Sequence, residues 1–404
     1  MLLRAVLDRT SEVGHPDGAR VRDAYGALAI IQASAPEAVR SLLDDALVGS
    51  WALRTVRELY SPQPMVARPA DLALIVVAAA VRGGVSTTID LSQATQAGGI
   101  HLAALGSVSA PGVTWGATEV RADAAGCELQ SGSARVRIPA EPHVRTAAWQ
   151  GFPIVSTSAA GLHWTVRLDL SGAHGMSGVC LDDLSDSMTL QHWCYLLRDG
   201  WRTLANRHRR IAAEVGAGLS VLVPLAGRPE QWSATPEDAI GAMAMTRPRD
   251  ARAVAVTLAH EIQHLKLAGV MKLVPLIATE SPSRWYAPWR DDPRPVAGLL
   301  HGAYAHLGVA GFWRQERHHT CGDDELLAHT EFARWRRAVG EIARLLAGSP
   351  QLTPVGRGFA DGMAWTLDRW AREAVPAEAE LAADHLLHQH RLAWEAAHGA
   401  APAT

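Results

Sequence analysis

Over the first ninety residues apolar positions recur at three- and four-residue spacing, the period of a helix with one buried face. The stretch SAPEAVRSLLDDALVGSWALRTVREL shows it best, and Ser34-Ala35-Pro36 reads as a helix start. Leu72 to Val81 is apolar throughout. It is about half the length that a membrane span needs, so it predicts a buried helix. Near residue 95 the pattern changes. GGIHLAALGSV, VTWGATEVRAD, CELQSGSARVRIP and LHWTVRLDL are short, partly alternating and separated by glycine-rich turns. They predict a mostly antiparallel sheet over 96–172.

Helical spacing returns over 185–217. Two strand-like runs follow, Leu219 to Leu225 and Ala239 to Thr246, joined by a loop that carries Pro229, Glu230, Pro236, Glu237 and Asp238. A strong helical run covers 250–269, with Gly269 as a candidate end, although the apolar pattern continues to Leu276. Pro275, Pro282, Pro288, Pro293 and Pro295 then interrupt the pattern, before helices over 296–318, 324–347 and 377–397. The fold class is α+β: mostly helical N- and C-terminal parts around a central antiparallel β region. Three regions are expected, a helical 1–95, a β-rich 96–180 and a mainly helical 181–404. The last carries the motif HExxH on a helix packed on a short sheet.

Composition narrows the function. Of 404 residues, 48% are hydrophobic and 20% charged, enough apolar chain for a sizeable core. The formal net charge of -3 has no basic block behind it, which argues against nucleic acid as a partner. Cys127, Cys180, Cys194 and Cys321 form no CxxC pair, so reduced thiols are expected rather than a disulfide framework. The opening MLLRAVLDRTSEVG lacks the apolar core and cleavage site of a signal peptide. The expectation is a bacterial, cytoplasmic chain with no membrane partner; its oligomeric state is left open.

The chemistry is concentrated in His260-Glu261-Ile262-Gln263-His264. On a helix, residues i and i+4 lie one turn apart on the same face, so His260 and His264 are placed to ligate one ion together. Glu261 is offset by about 100° and reaches a metal-bound water or a neighbouring group. Apolar residues frame the motif on both sides, which marks a metal site rather than two core histidines. Leu265-Lys266-Leu267-Ala268-Gly269 lacks the glycine and histidine with which a metzincin continues. The third ligand comes from elsewhere. His301, in Leu299-Leu300-His301-Gly302 on a second apolar helix, is favoured; Glu280, His306 and Glu261 itself are the alternatives. His306 lies five residues beyond His301 and on a different helix face.

Three neutral imidazoles leave the full charge on a divalent ion. Zinc with one open position suits hydrolysis, with Glu261 as general base. Ferrous iron with three facial ligands suits a bidentate 2-oxoacid and dioxygen. The distal carboxylate of 2-oxoglutarate needs a cation, best an arginine. Arg284, Arg290 and Arg294 lie in the proline-stiffened loop before His301, and Arg294 is the first choice. Pairing of these arginines with Asp291 and Asp292 is the plainer alternative. Lys266 points about 200° away from His264 on an ideal helix, which favours a structural role for it.

The string AVTLAHEIQHLKLAGVMKLVPL, followed by WYAPWRDDPRPVAGLLHGAYAHLGVAGFW, resembles the HEXXH-motif domain of bacterial peptide-modification clusters. AIGAMAM upstream and LTPVGRGFADGM downstream also resemble parts of that domain. The resemblance implies an Fe(II)- and 2-oxoglutarate-dependent peptide β-hydroxylase acting on ribosomally made precursor peptides. It implies His260, His264 and His301 as metal ligands. It places Gln263 and Lys266 in an HExQHxKL string and Arg294 in a DPRP string, as candidate cofactor-binding residues beside Arg290. Ile262 and His306 depart from it, where an aromatic residue and a phenylalanine are usual.

A strand beside an HExxH helix holds extended peptides in many enzymes, and Ala239 to Thr246 is placed for that or for an ordinary core role. Trp285, Tyr286 and Trp289 are candidates to line the site. No GxSxG elbow or glycine-rich phosphate loop is present.

Overall fold

The computed structural model describes residues 1–94, 99–110, 112–171, 180–227, 233–236, 238–279 and 282–399. The chain packs as two compact units. Unit 1 comprises Met1–Ser156, Thr165–Cys194 and Leu219–Arg247; unit 2 comprises Thr157–Trp164, Tyr195–Gly218 and Pro248–Thr404. The architecture is α+β, with helices at both ends of the chain.

Five helices open unit 1: α1 (Leu2–Glu12), α2 (Gly18–Ser34), α3 (Pro36–Leu43), α4 (Ala46–Leu59) and α5 (Leu72–Gly83). The stretch that reads as one helical run is divided. Asp45 caps a new helix by accepting from the amides of Leu47 and Val48, at 3.0 and 3.4 Å. The first helix of that run starts at Pro36, whose fixed φ suits position N1. Ser34 instead ends α2, its hydroxyl donating to the carbonyls of Ile30 and Ile31. As its apolar sequence predicts, α5 is buried, and it forms the centre of the unit's main core. Pro64–Gly83 is long and apolar enough to cross a membrane, but two thirds of it lies inside the protein.

The strands in chain order are β1 (Thr87–Asp90), β2 (Gly99–Leu102), β3 (Gly106–Ser109), β4 (Ala117–Asp123), β5 (Gly126–Ser131), β6 (Ala134–Pro139), β7 (Trp149–Gly151), β8 (Ile154–Ala159) and β9 (Leu162–Leu168). Two sheets, β1-β4-β5-β6 and β2-β3-β7, are antiparallel throughout, as the alternation predicts. The strand β1 falls where helix is expected: four residues behind a long helical pattern are too few to show a period of two.

Helices α6 (Ser187–Arg207) and α7 (Arg209–Gly218) lead to β10 (Val221–Leu225), β11 (Ser233–Ala234) and β12 (Ala242–Thr246). The third sheet has the order β11-β12-β10-β9-β8, with β10 parallel to both β9 and β12. Every residue of β10 and β12 is buried, as in strands covered on both faces. β12 has β10 on one side and β11 on the other, so it is a core strand rather than an open edge for a peptide.

The three sequence regions do not coincide with the two units. α5 packs on β1, β2 and β4, which joins the helical 1–95 and the β-rich stretch in one unit. Residues 219–247 of the third region belong there too, because β10 and β12 complete its sheet.

Unit 2 holds the remaining helices: α8 (Ala251–Leu273), α9 (Val296–Glu316), α10 (Asp323–Ala347), α11 (Pro354–Trp370) and α12 (Ala377–His398). α8 runs past Gly269 to Leu273, since nothing in the backbone there breaks the apolar pattern. α11 is a helix that the spacing does not predict. Thr353 caps it by accepting from the Gly356 amide at 3.0 Å, and Pro354 occupies its first turn. Leu267, Leu299, Leu300, Val339, Ile342 and Leu367 lie in the core between these helices.

Candidate functional site: a histidine cluster on two helices

The motif helix α8 begins at Asp250, which accepts from the Ala253 amide at 2.7 Å. Inside its unit α8 packs against α7 and α9. The contact with α9 is close because Gly308 faces the motif: a Cβ there would stand 2.6 Å from Gln263 Cγ and 2.8 Å from the Ala259 carbonyl oxygen. Any side chain at 308 would push the two helices apart where the histidines sit.

His260 and His264 meet as the helical spacing predicts. Their Nε2 atoms are 3.1 Å apart and their rings stand edge to face. Burial holds both imidazoles neutral, lowering each to about 4. Neutral imidazole is the ligand form. An ion about 2.0–2.1 Å from each nitrogen would see them at an angle of roughly 95–100°, between octahedral and tetrahedral values. The pair therefore fits a divalent ion of either geometry. Glu261 is almost wholly buried, and its Oε1 comes within 3.9 Å of His260 Nε2.

His301 and His306 approach from α9. The ring of His301 lies nearly parallel to that of His264, with centroids 5.9 Å apart. His306 meets His260 edge to face at 4.8 Å, stacks on Trp289 at 4.8 Å and tilts against Trp335 at 4.5 Å. Its Nδ1–H donates to the Gly302 carbonyl at 2.9 Å, which leaves the lone pair on Nε2. Burial, reinforced by His260, holds His306 well below its usual value. Four histidines thus converge. Among the described residues, however, no group of three or more His, Cys, Asp or Glu side chains is gathered closely enough to hold an ion. Glu280, an alternative third ligand, lies outside the described residues.

The candidate cofactor-binding residues are engaged elsewhere. Gln263 donates to the Ala259 carbonyl at 3.3 Å and accepts from Lys266 at 3.0 Å. Lys266 also bonds Glu214 at 2.9 Å and lies over the Tyr304 ring. Its ammonium therefore ties α8 to α7, the structural role its angular position suggests. Arg290 and Arg294 share one carboxylate: Arg290 Nε donates to Asp292 Oδ1 at 2.8 Å, and Arg294 Nη1 to Oδ2 at 3.0 Å. Paired main-chain bonds between Trp285 and Arg294, at 2.8 and 2.9 Å, close this loop at its base. Arg284 donates to the carbonyls of Pro282 and Ser283.

Of the three loop aromatics, Trp289 joins the histidine cluster. Tyr286 is hydrogen-bonded to His390 Nδ1 at 2.9 Å, and burial raises its phenol to about 12. That bond fastens the loop to α12. Trp335 of α10 is a cluster residue that no local sequence signal marks, because it meets His306 only through tertiary packing.

No family model and no curated protein matches the chain.

Proposed function

We propose that unit 2 carries a metal-dependent oxygenase, using Fe(II) and 2-oxoglutarate to hydroxylate the β-carbon of a residue in a ribosomally synthesised precursor peptide in the bacterial cytoplasm. The observation that carries the metal is the His260–His264 pair, neutral and with nitrogens 3.1 Å apart. The choice of iron rests on the resemblance of residues 255–313 to the HEXXH-motif domain and on the arginine-bearing loop that precedes His301.

In this reading His260 and His264 would hold the ion and His301, whose ring centroid lies 5.9 Å from that of His264, would complete the set only as the ion binds. The ion supplies the site at which 2-oxoacid and dioxygen react. Arg294, with Arg290 beside it, turns from Asp292 to the distal carboxylate of 2-oxoglutarate, one anion replacing another on the same guanidinium. The ring of His306 and the indole of Trp289 form an apolar wall that limits water at the edge of His260. Glu261 orients a water or a substrate N–H beside His260.

Protein loaded with iron without air is expected to bind 2-oxoglutarate. On admission of oxygen it should release succinate and add one oxygen to a precursor peptide. Iron-loaded protein that neither binds 2-oxoglutarate nor consumes it overturns the reading.

A zinc metallopeptidase is the second reading, favoured by the 3.9 Å approach of Glu261 Oε1 to His260 Nε2. Glu261 would then take a proton from a water polarised by zinc. A Glu261→Gln variant should keep its metal and lose peptide cleavage; undiminished cleavage removes this reading.

A further inference from the structure

Unit 1 contains a cavity of about 320 Å³ between α4, α5 and β2. Leu47, Trp51 and Arg54 of α4 line it at helical spacing, and Leu74 and Ile75 of α5 also contribute to its walls. The walls are apolar apart from a few charged groups, and those groups differ in how much of their bonding capacity is used.

Asp169 lines the cavity but is saturated. Arg167 donates to its Oδ2 at 3.1 and 3.2 Å, and Ser171 donates to its Oδ1 from both amide and hydroxyl. Asp71 takes a two-pronged bond from Arg68, at 3.1 and 3.2 Å. Burial pushes the Asp71 carboxyl up, against the pull of Arg68 and Arg54. His101 bonds Ser107 through Nδ1 at 2.7 Å, and burial lowers it, so it adds no positive charge. Arg54 is half-buried and makes no hydrogen bond or close ion pair among the described residues. Its five N–H donors, together with the unpartnered indole N–H of Trp51, are the unspent donors among the described residues of a cavity whose carboxylates are already held by Arg68, Arg167 and Ser171.

We propose that this cavity binds a small monocarboxylate with an apolar, aryl or branched-alkyl body. The carboxylate takes the Arg54 fork, a match of planar donor and planar acceptor. The body lies between Trp51 and the α5 side chains. A volume of about ten waters suits a ligand of about ten non-hydrogen atoms, at the small end of ligand pockets. A phosphate would call for more than one free cation, and an amine would meet carboxylates already held by Arg68, Arg167 and Ser171, with the Arg54 charge beside them.

The test is calorimetric titration of the full chain with 3-phenylpropionate, 3-phenylpropanol and 3-phenylpropylamine. The acid is expected to bind saturably, the alcohol at least about tenfold more weakly, and the amine not at all. An Arg54→Gln variant should bind acid and alcohol alike, and Ala103→Phe, which narrows the cavity, should bind both more weakly. Failure of the acid to bind, an alcohol or amine that matches it, or an Arg54→Gln variant that keeps the preference overturns the proposal. The comparison of the three probes on the unaltered chain decides the matter even if a variant does not fold.

Discussion

The indole of Trp289 lies parallel to the imidazole of His306, 15° between planes and 4.8 Å between centroids. Trp289 belongs to the arginine-bearing loop and His306 to α9, so the stack fastens that loop to the helix that presents His301. It does so across Gly302, where a Cβ would come within 2.2 Å of Trp289 Nε1. A missing side chain on α9 thus makes the space in which the loop aromatic lies flat.

Gly302→Ala should therefore displace the indole. The expected loss of stability is about 1–3 kcal/mol, as for other overpacked sites. Urea unfolding followed by near-ultraviolet circular dichroism would register both the loss and the change at Trp289. An unchanged spectrum at unchanged stability would contradict the close approach.

His306→Phe keeps the ring between Trp289 and Trp335 and gives up one hydrogen bond to the Gly302 carbonyl. A cost within about 1 kcal/mol is expected. His306→Ala removes the stack as well and should cost about 2–3 kcal/mol. Equal losses for the two variants would mean that the hydrogen bond, not the ring, is what matters there.

Metal content separates the histidines. His260→Ala and His264→Ala should each abolish stoichiometric iron or zinc binding in elemental analysis after dialysis. His301→Ala should also bind metal more weakly if His301 completes the set on ion binding. Full retention of metal by His260→Ala would sink the site. Full retention by His301→Ala would shift the third position to another residue.

Asp292 competes with any anion for Arg290 and Arg294. The Arg290–Asp292 pair is solvent-exposed and the Arg294–Asp292 pair partly so, and Asp292→Ala should lower stability by no more than about 1 kcal/mol. Under the oxygenase reading it should also tighten 2-oxoglutarate binding, while Arg294→Ala weakens it. Calorimetry in the absence of oxygen reads both, and an Arg294→Ala variant with normal affinity excludes that arginine from the cofactor site.

Glu316 is buried between His208, at 2.8 Å, and Arg207, at 3.0 Å. Burial pushes its carboxyl up, but hydrogen bonds and charge from these two partners outweigh it, so the folded value lies below the usual 4.5. The unfolded chain then binds a proton before the folded one does. The stability Glu316 contributes is complete above about pH 4.5 and is lost as pH falls through the depressed folded value. Glu316→Gln should cost about 3 kcal/mol at pH 7 and progressively less in acid. Urea midpoints at pH 7, 5 and 4 would show the gap closing; a constant gap would contradict the linkage.

Much of this organisation was legible in the residues, and the exceptions have physical causes. The long helices α8, α9, α10 and α12 show their period over many residues, and β10 and β12 stand out as short apolar runs between turn residues. α11 does not, because Gly356, Gly358 and Gly362 imitate a loop, although Thr353-Pro354 is a helix-start signal. At the site, His260 and His264 are legible because one turn of helix fixes their proximity. The engagement of Lys266 with Glu214 joins residues 52 apart in the chain, and no local pattern announces it. The packing of His306 between Trp289 and Trp335 is tertiary in the same way.

Asp45 does two things with one carboxylate. It caps α4 through Oδ1 and pairs with Arg167 through Oδ2, across 122 residues of chain. Arg167 follows the first two sheets in sequence and is held in turn by Asp169. During synthesis, then, the opening turn of α4 stays without its ionic partner until β9 has been made. The wall that presents Arg54 to the cavity is completed late, and an N-terminal fragment ending before residue 165 would lack the ion pair that holds it.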